Sequence, residues 1–312
     1  MRTLHRRFTL VGAAAALLVA SGCGTGPSRV GTAMIIGDKV IPLEQVQDWT
    51  STVLKEKPAA QQALQQHKLG DVARSVAGTI IRHELIATAA QREGVQVDEA
   101  AVSQAIEDAG GAEAASEATV YSASNFRTRA ADQLLMVEIG RRHIDRTEVT
   151  FDYFYARDET EARDKAKDVA AHPEKMAEYV AAAPKGTDNQ QLAAENQKVR
   201  SDEDPEFATL PVFGVAEGTV AAFQPRQESS VWMVTLLKER NTNARSTGES
   251  SSAALSPQIL QFIGLRVVQS LTNDVKIEVN PRYGVWDPTL FYLSPSEKEL
   301  AGFTAPTRQT KS

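Results

Sequence analysis

Val275-Lys-Ile-Glu-Val279 reads as a short strand, and it follows one amphipathic helix carrying Ile259, Leu260, Ile263, Val267 and Leu271. One helix and one strand cannot bury their apolar faces alone. The residues just before them, 241–256, are rich in Ser, Thr, Asn and Gly and read as a linker. The partner must come from further back. Met34-Ile-Ile-Gly-Asp-Lys-Val-Ile41 looks like two short strands joined by Gly37-Asp38, a two-residue loop with glycine first. Pro42 then opens a helix with Leu43, Val46, Trp49, Val53 and Leu54 on one face, and a second helix follows Pro58. A long helical pattern from Asp71 runs through Val76, Ile80, Ile81, Leu85 and Ile86 to Gly94, which suits a left-handed cap. Asp98 caps a short helix that ends at Gly110-Gly111, and another long helix occupies roughly 124–144. The expected architecture is α+β: a discontinuous, mainly helical body built from 34–147 and completed by the helix and strand of 257–287, with 288–312 trailing as a tail.

Between those halves the composition changes. Val149-Thr-Phe-Asp-Tyr-Phe-Tyr155 is β-branched and aromatic and reads as a strand. Asp158-Glu-Thr-Glu161 is a helix-start signature, and a further helix begins at Pro173. Residues 185–206 are polar, end in the acidic run Asp202-Glu-Asp-Pro-Glu206, and read as a surface excursion. Strand character returns at Pro211-Val-Phe213, Thr219-Val220 and from Ser230 to Leu237. The span 148–240 is thus a small α+β unit, long enough to be an inserted domain.

Composition excludes much chemistry. Acidic residues outnumber basic ones 40 to 34 for a net charge of −6, so no global field draws the chain to phosphate backbones and no nucleic-acid partner is expected. The 312 residues contain one cysteine, which rules out an intramolecular disulfide and a cysteine-built zinc site. No Walker or Rossmann fingerprint, Gly-x-Ser-x-Gly elbow or Ser-x-x-Lys is present, and His83-Glu84 lacks the second histidine of a zinc-protease helix. No cofactor is expected. His67, His83 and His143 fall on expected helices and read as surface or packing residues.

The start of the chain carries an address. Arg2, Arg6 and Arg7 precede an apolar stretch from Phe8 to Ala20, and Leu18-Val-Ala-Ser-Gly-Cys23 follows. At about 1.5 Å per residue the stretch spans roughly 20 Å, short of the ~30 Å hydrocarbon core, and so fits a secretory signal over 1–22. The ending resembles a bacterial lipobox, in which the cysteine is lipidated. Cys23 is then the anchor on the outer face of the cytoplasmic membrane, held by two or three acyl chains, with 23–33 as a flexible leader.

The order of these features is similar to a known family. The lipobox, the Val/Ile-Gly-Asp-Lys-Val-Ile hairpin and a helix ending Gly94-Val-Gln-Val-Asp-Glu99 resemble the N-terminal module of SurA-type and PrsA-type foldases. Val149 to Arg240 resembles a parvulin domain, and Val279-Asn-Pro-Arg-Tyr-Gly-Val-Trp-Asp287 resembles the closing strand of actinobacterial lipoproteins of this family. The resemblance implies a chaperone that holds exported, unfolded polypeptides, and an enzymatic activity of peptidyl-prolyl cis/trans isomerisation. Active parvulins carry a histidine in the first strand and another in the last. Here those positions match Tyr153 and Trp232. The glycine-rich turn is missing too, since no glycine occurs between Gly186 and Gly214. The resemblance therefore implies a degenerate parvulin-like domain without a catalytic site. Phe151, Tyr153, Tyr155 and Trp232 are candidates for gripping peptide side chains, with the alternative that they form half of the small domain's core. A holdase is the first expectation. A residual prolyl isomerase and a structural or adaptor lipoprotein with one fixed partner are the alternatives.

Overall fold

The computed structural model describes residues 30–184, 191–226, 229–248 and 252–308. Its strands are β1 (Thr32–Ile36), β2 (Lys39–Pro42), β3 (Glu148–Ala156), β4 (Ala193–Arg200), β5 (Thr219–Phe223), β6 (Trp232–Asn241), β7 (Ile277–Val279), β8 (Val285–Asp287), β9 (Tyr292–Ser294) and β10 (Phe303–Pro306). Its helices are α1 (Leu43–Glu56), α2 (Pro58–Gln65), α3 (Leu69–Glu93), α4 (Glu99–Asp108), α5 (Gly111–Ser116), α6 (Phe126–His143), α7 (Glu159–Ala171), α8 (Lys175–Ala182) and α9 (Pro257–Leu271). The fold is mixed α+β.

The late strand finds its partner at the start of the chain. β7 pairs antiparallel with β1, Met34 opposite Val279 and Ile36 opposite Ile277, giving a sheet of order β2-β1-β7. Gly37, at φ 58°, makes the hairpin turn and donates its N–H to the Lys276 carbonyl at 2.8 Å. One apolar cluster joins both ends of the sequence. Met34, Ile41, Val46 and Val53 pack on the buried stripe Val76, Ile80, Ile81, Leu85 and Ile86 of α3, together with Val267, Val268, Val279 and Tyr283. The expected caps form as well: Gly94 ends α3 at φ 60°, and the Asp98 side chain accepts from Ala100 N at 3.0 Å.

Helices α6 and α9 cross at two glycines. A methyl group on Gly140 would overlap the Leu260 carbonyl, and one on Gly264 would overlap the Met136 carbonyl. Only hydrogen side chains let these backbones approach so closely. α9 also carries a buried guanidinium. Arg266 donates through Nε to the Thr209 carbonyl at 2.7 Å and through Nη1 to that of Thr289 at 2.9 Å, and burial pulls its pKa down to about 10.

The second sheet has the order β10-β5-β6-β3-β4, antiparallel throughout. On one face Phe154, Val220, Ala222 and Val234 pack against Ala162, Ala166 and Val169 of α7 and Met176 of α8. The other face packs Phe151, Phe223 and Leu237 against Leu260 and Ile263 of α9. The start of α7 is fixed as its sequence predicts, with Asp158 accepting from Glu161 N at 2.9 Å.

Several expectations require correction. Residues 288–308 do not trail as a tail; 309–312 lie outside the described residues. β9 pairs with β8, and β10 adds an edge strand to the larger sheet. Asp287, fully buried, organises this segment: its carboxylate accepts from the N–H groups of Thr289 at 2.9 Å and Ala301 at 2.7 Å. These charge-assisted bonds offset the cost of burying the carboxylate and tie the two ends of the segment to one point. Within the polar stretch 185–206, residues 193–200 form β4 rather than an excursion; 185–190 lie outside the described residues. β4 reads as polar because it is an edge strand with one side toward solvent. Asp202 in the acidic run is fully buried, accepting from Thr247 N at 2.8 Å and Ser246 Oγ at 3.0 Å, so part of the expected linker is tied down. Pro211–Phe213 is a buried 3-10 turn, not a strand. His67 lies just beyond α2 at φ 58°.

His143, buried at the end of α6, faces Glu93 Oε2 at 2.9 Å and an Arg146 nitrogen at 3.0 Å. Burial lowers its pKa from 6.5, against the pull of Glu93 and with help from Arg146 and Arg142. The folded state thus favours neutral imidazole. Its stabilisation is complete above the unfolded value of about 6.5 and declines as pH falls through that value toward the lowered one. Urea unfolding at pH 7.5 and 5.5 is expected to show a drop that His143→Gln flattens; an identical drop in the variant refutes this assignment.

Candidate functional site

Strand alternation sends Phe151, Tyr153 and Tyr155 to the same face of β3. Across β6 they oppose Leu237, Thr235 and Met233. The three rings continue an aromatic ladder. Phe207 lies near-parallel to Phe151 at 5.7 Å between centroids, Phe151 is 5.8 Å from Tyr153, and Tyr153 meets Tyr155 edge-on at 5.9 Å. Offset and edge-on pairs of this kind add roughly 0.5–1.5 kcal/mol each beyond area burial.

Exposure rises along the ladder. Phe151 is fully buried and Tyr153 nearly so, its hydroxyl donating to the Gln191 carbonyl at 3.1 Å. Both are core residues. Tyr155 is half-buried and stands in the wall of a groove of about 800 Å3. Burial pushes its hydroxyl above the ordinary tyrosine value, and Arg226 draws it partly back.

Trp232 does not join this group. It opposes Ala156, so alternation turns it to the other face, where it packs with Phe154 and Val234 beneath Arg163, 5.8 Å from the ring centre. Its neighbour Val231 lines the groove instead, with Pro225, Arg226 and Ser229 from the same connection. Cys23 lies outside the described residues. Of the four aromatic candidates, only Tyr155 lines the groove.

The groove runs between the sheet and the first turns of α9. Tyr155, Leu192, Phe207 and Leu210 supply one apolar wall, and Ile259 and Phe262 the other. Two of its apolar residues are substantially in solvent, Val231 at 41% and Phe262 at 45%. Arg157 and Arg226 stand on its rim, as do Asp204 and Glu206. Its volume falls in the range of peptide and small-molecule sites, and its lining is mostly apolar with a few polar groups at the edge. Among the described residues, no group of three or more His, Cys, Asp or Glu side chains could hold a metal ion. None of the groove residues is a histidine or cysteine.

Leu192, Phe207, Leu210, Val231, Ile259 and Phe262 form the groove without having been singled out for it. One signal was available. Phe262 is an aromatic residue of α9 that lies off the stripe Leu260, Ile263 and Val267, so burial in the body does not account for it.

No family model matches this chain, and no curated protein matches it. Among the described residues no helix is long and apolar enough to cross a membrane.

Proposed function

We propose that this chain is a lipid-anchored extracytoplasmic chaperone, a holdase that binds exported unfolded polypeptides without isomerising their prolyl bonds. The observation that carries the reading is the groove of about 800 Å3, with an apolar lining and two half-exposed apolar side chains, Val231 and Phe262. An exposed apolar concavity costs solubility unless something occupies it. An extended peptide fits that chemistry, since apolar walls grip side chains of many shapes and need no exact match.

The architecture fits the same role. We read 34–147 with 257–287 as one discontinuous helical body and 148–240 as an inserted parvulin-like unit, now with β10 added to its sheet. The groove then lies where the two parts meet, and Cys23 tethers the molecule to the membrane. Tyr153 and Trp232, the matches to the parvulin histidines, project to opposite faces of the sheet, and Tyr153 is held by its bond to Gln191. This supports a holdase over an isomerase.

The purified chain is expected to suppress aggregation of a chemically denatured test protein near equimolar ratio, and to leave the slow, proline-limited phase of a refolding protein unchanged. Acceleration of that phase would favour the isomerase instead. Photocrosslinking from position 262 in cells should trap many polypeptides; a single repeated product would make this an adaptor with one fixed partner.

A further inference from the structure

Phe262 stands at a junction. One side of it lines the groove, and the other closes a cavity of about 140 Å3 between α3, α6 and α9. That cavity shares Thr79, Arg82, Tyr121 and Arg129 with a wider cleft of about 420 Å3, whose far wall carries Leu290 and Tyr292, 48% and 41% exposed. The three concavities thus adjoin one another, the groove and the cavity on either side of Phe262, the cavity and the cleft on either side of Arg82 and Arg129.

Two arginines occupy the middle of it. Arg82 comes from α3 and Arg129 from α6, and both are half-buried. Among the described residues neither makes a hydrogen bond or ion pair; Arg129 only lies over the Tyr121 ring, 6.0 Å from its centre. Asp132 is the carboxylate in this cavity, and both of its oxygens face His83 Nδ1, at 2.9 and 3.0 Å. Arg74, on the wall of the wider cleft, is paired with Asp71 at 2.6 Å.

Two guanidiniums of like charge, partly stripped of water and without an acceptor, destabilise the fold that holds them. Burial and the Arg129 charge both pull the Arg82 pKa down, which is the same cost seen from the proton's side, although Asp132 and Tyr121 offset part of it. A planar fork of donors on each arginine matches a carboxylate. The apolar residues at either end, Phe262 on one side and Leu290 with Tyr292 on the other, fit a chain that is apolar on both sides of its charge.

We propose that Arg82 and Arg129 form a carboxylate subsite that receives an acidic residue of the polypeptide lying in the groove. The subsite selects, among unfolded chains, apolar stretches interrupted by Asp or Glu. This rests on the groove being a polypeptide site.

The test is fluorescence anisotropy on the purified chain with labelled, C-terminally amidated peptides that share one apolar sequence and differ only in a single Glu or Gln. The Glu peptide is expected to bind about tenfold more tightly at low salt, as a charge-assisted hydrogen bond allows, with the gain shrinking at high salt. Arg82→Gln with Arg129→Gln should erase the difference and leave the Gln peptide unaffected. A free C-terminus on the Gln peptide that restores the gain would assign the subsite to chain ends rather than side chains, and so overturn the choice of acidic residue.

Equal affinity of the two peptides for the wild type sinks the subsite while leaving the groove intact. Failure of both peptides to bind sinks the subsite and the groove together. Arginine-dependent binding of anionic phospholipid vesicles, with no peptide preference, makes this a headgroup site instead. Stability gives a separate readout. Without ligand, Arg129→Gln is expected to keep or raise the urea midpoint, because it relieves an unpaired charge; a clear fall would show that the guanidinium is a structural strut.

Discussion

Gly264→Ala is expected to cost about 3 kcal/mol or more, one of the largest losses any single methyl group could cause in this molecule. The new Cβ would overlap the Met136 carbonyl and come within 3.1 Å of the Gly140 nitrogen. Backbone cannot step aside as the tip of a side chain can, so α6 and α9 must separate and the contacts along their crossing must open. Gly140→Ala, which overlaps the Leu260 carbonyl, should cost a similar amount. The double variant should cost clearly less than the sum, because a pair of helices already separated has room for the second methyl. Gly70→Ala is the control. It lies in the first turn of α3 with no atom within 4 Å of the added carbon, and should be neutral or slightly stabilising. Urea unfolding followed by circular dichroism measures all four. A Gly264→Ala midpoint equal to that of the wild type would mean the helices do not cross as described.

Phe262→Asp is expected to weaken capture of unfolded polypeptide at least tenfold while costing only about 1–1.5 kcal/mol of stability. The ring is 45% exposed, so only about half of it is buried on folding, and it faces the groove on one side and the arginine cavity on the other. Phe151→Ala should behave in the opposite way. That ring is fully buried, and its removal is expected to cost about 3–5 kcal/mol. A binding assay scaled to the folded fraction separates the two outcomes. If Phe262→Asp binds clients as the wild type does, the groove is not where they lie.

The pairing of β7 with β1 could be expected because an isolated strand has an energetic problem that a sequence makes visible. The caps at Gly94, Asp98 and Asp158 were visible for a similar reason, since each is decided within a few residues. β4 was not. An edge strand is half solvated, so Ala193–Arg200 has the composition of a loop, and its identity comes from the neighbour it pairs with. β9 and β10 were hidden in the same way: what orders them is the buried Asp287 carboxylate, and a single acidic residue gives no hint of its burial. At the site, period-two alternation puts Tyr155 on the same face of β3 as Phe151 and Tyr153, where it lines the groove. Trp232 does not belong with them because it pairs with Ala156, out of step with the 233, 235 and 237 positions that oppose Tyr155, Tyr153 and Phe151, and so takes the other face. The arginines at 82 and 129 were invisible, because their lack of partners is a fact about three helices rather than about any one segment.

The two strands that complete the larger sheets have a kinetic consequence. β7 and β10 each complete a sheet whose other members precede them, β1 by more than two hundred residues. Contacts so distant along the chain are slow to find. During synthesis both sheets wait with an open edge, and a product that stops short of residue 277 would keep both unpaired rims, ready to join with other chains.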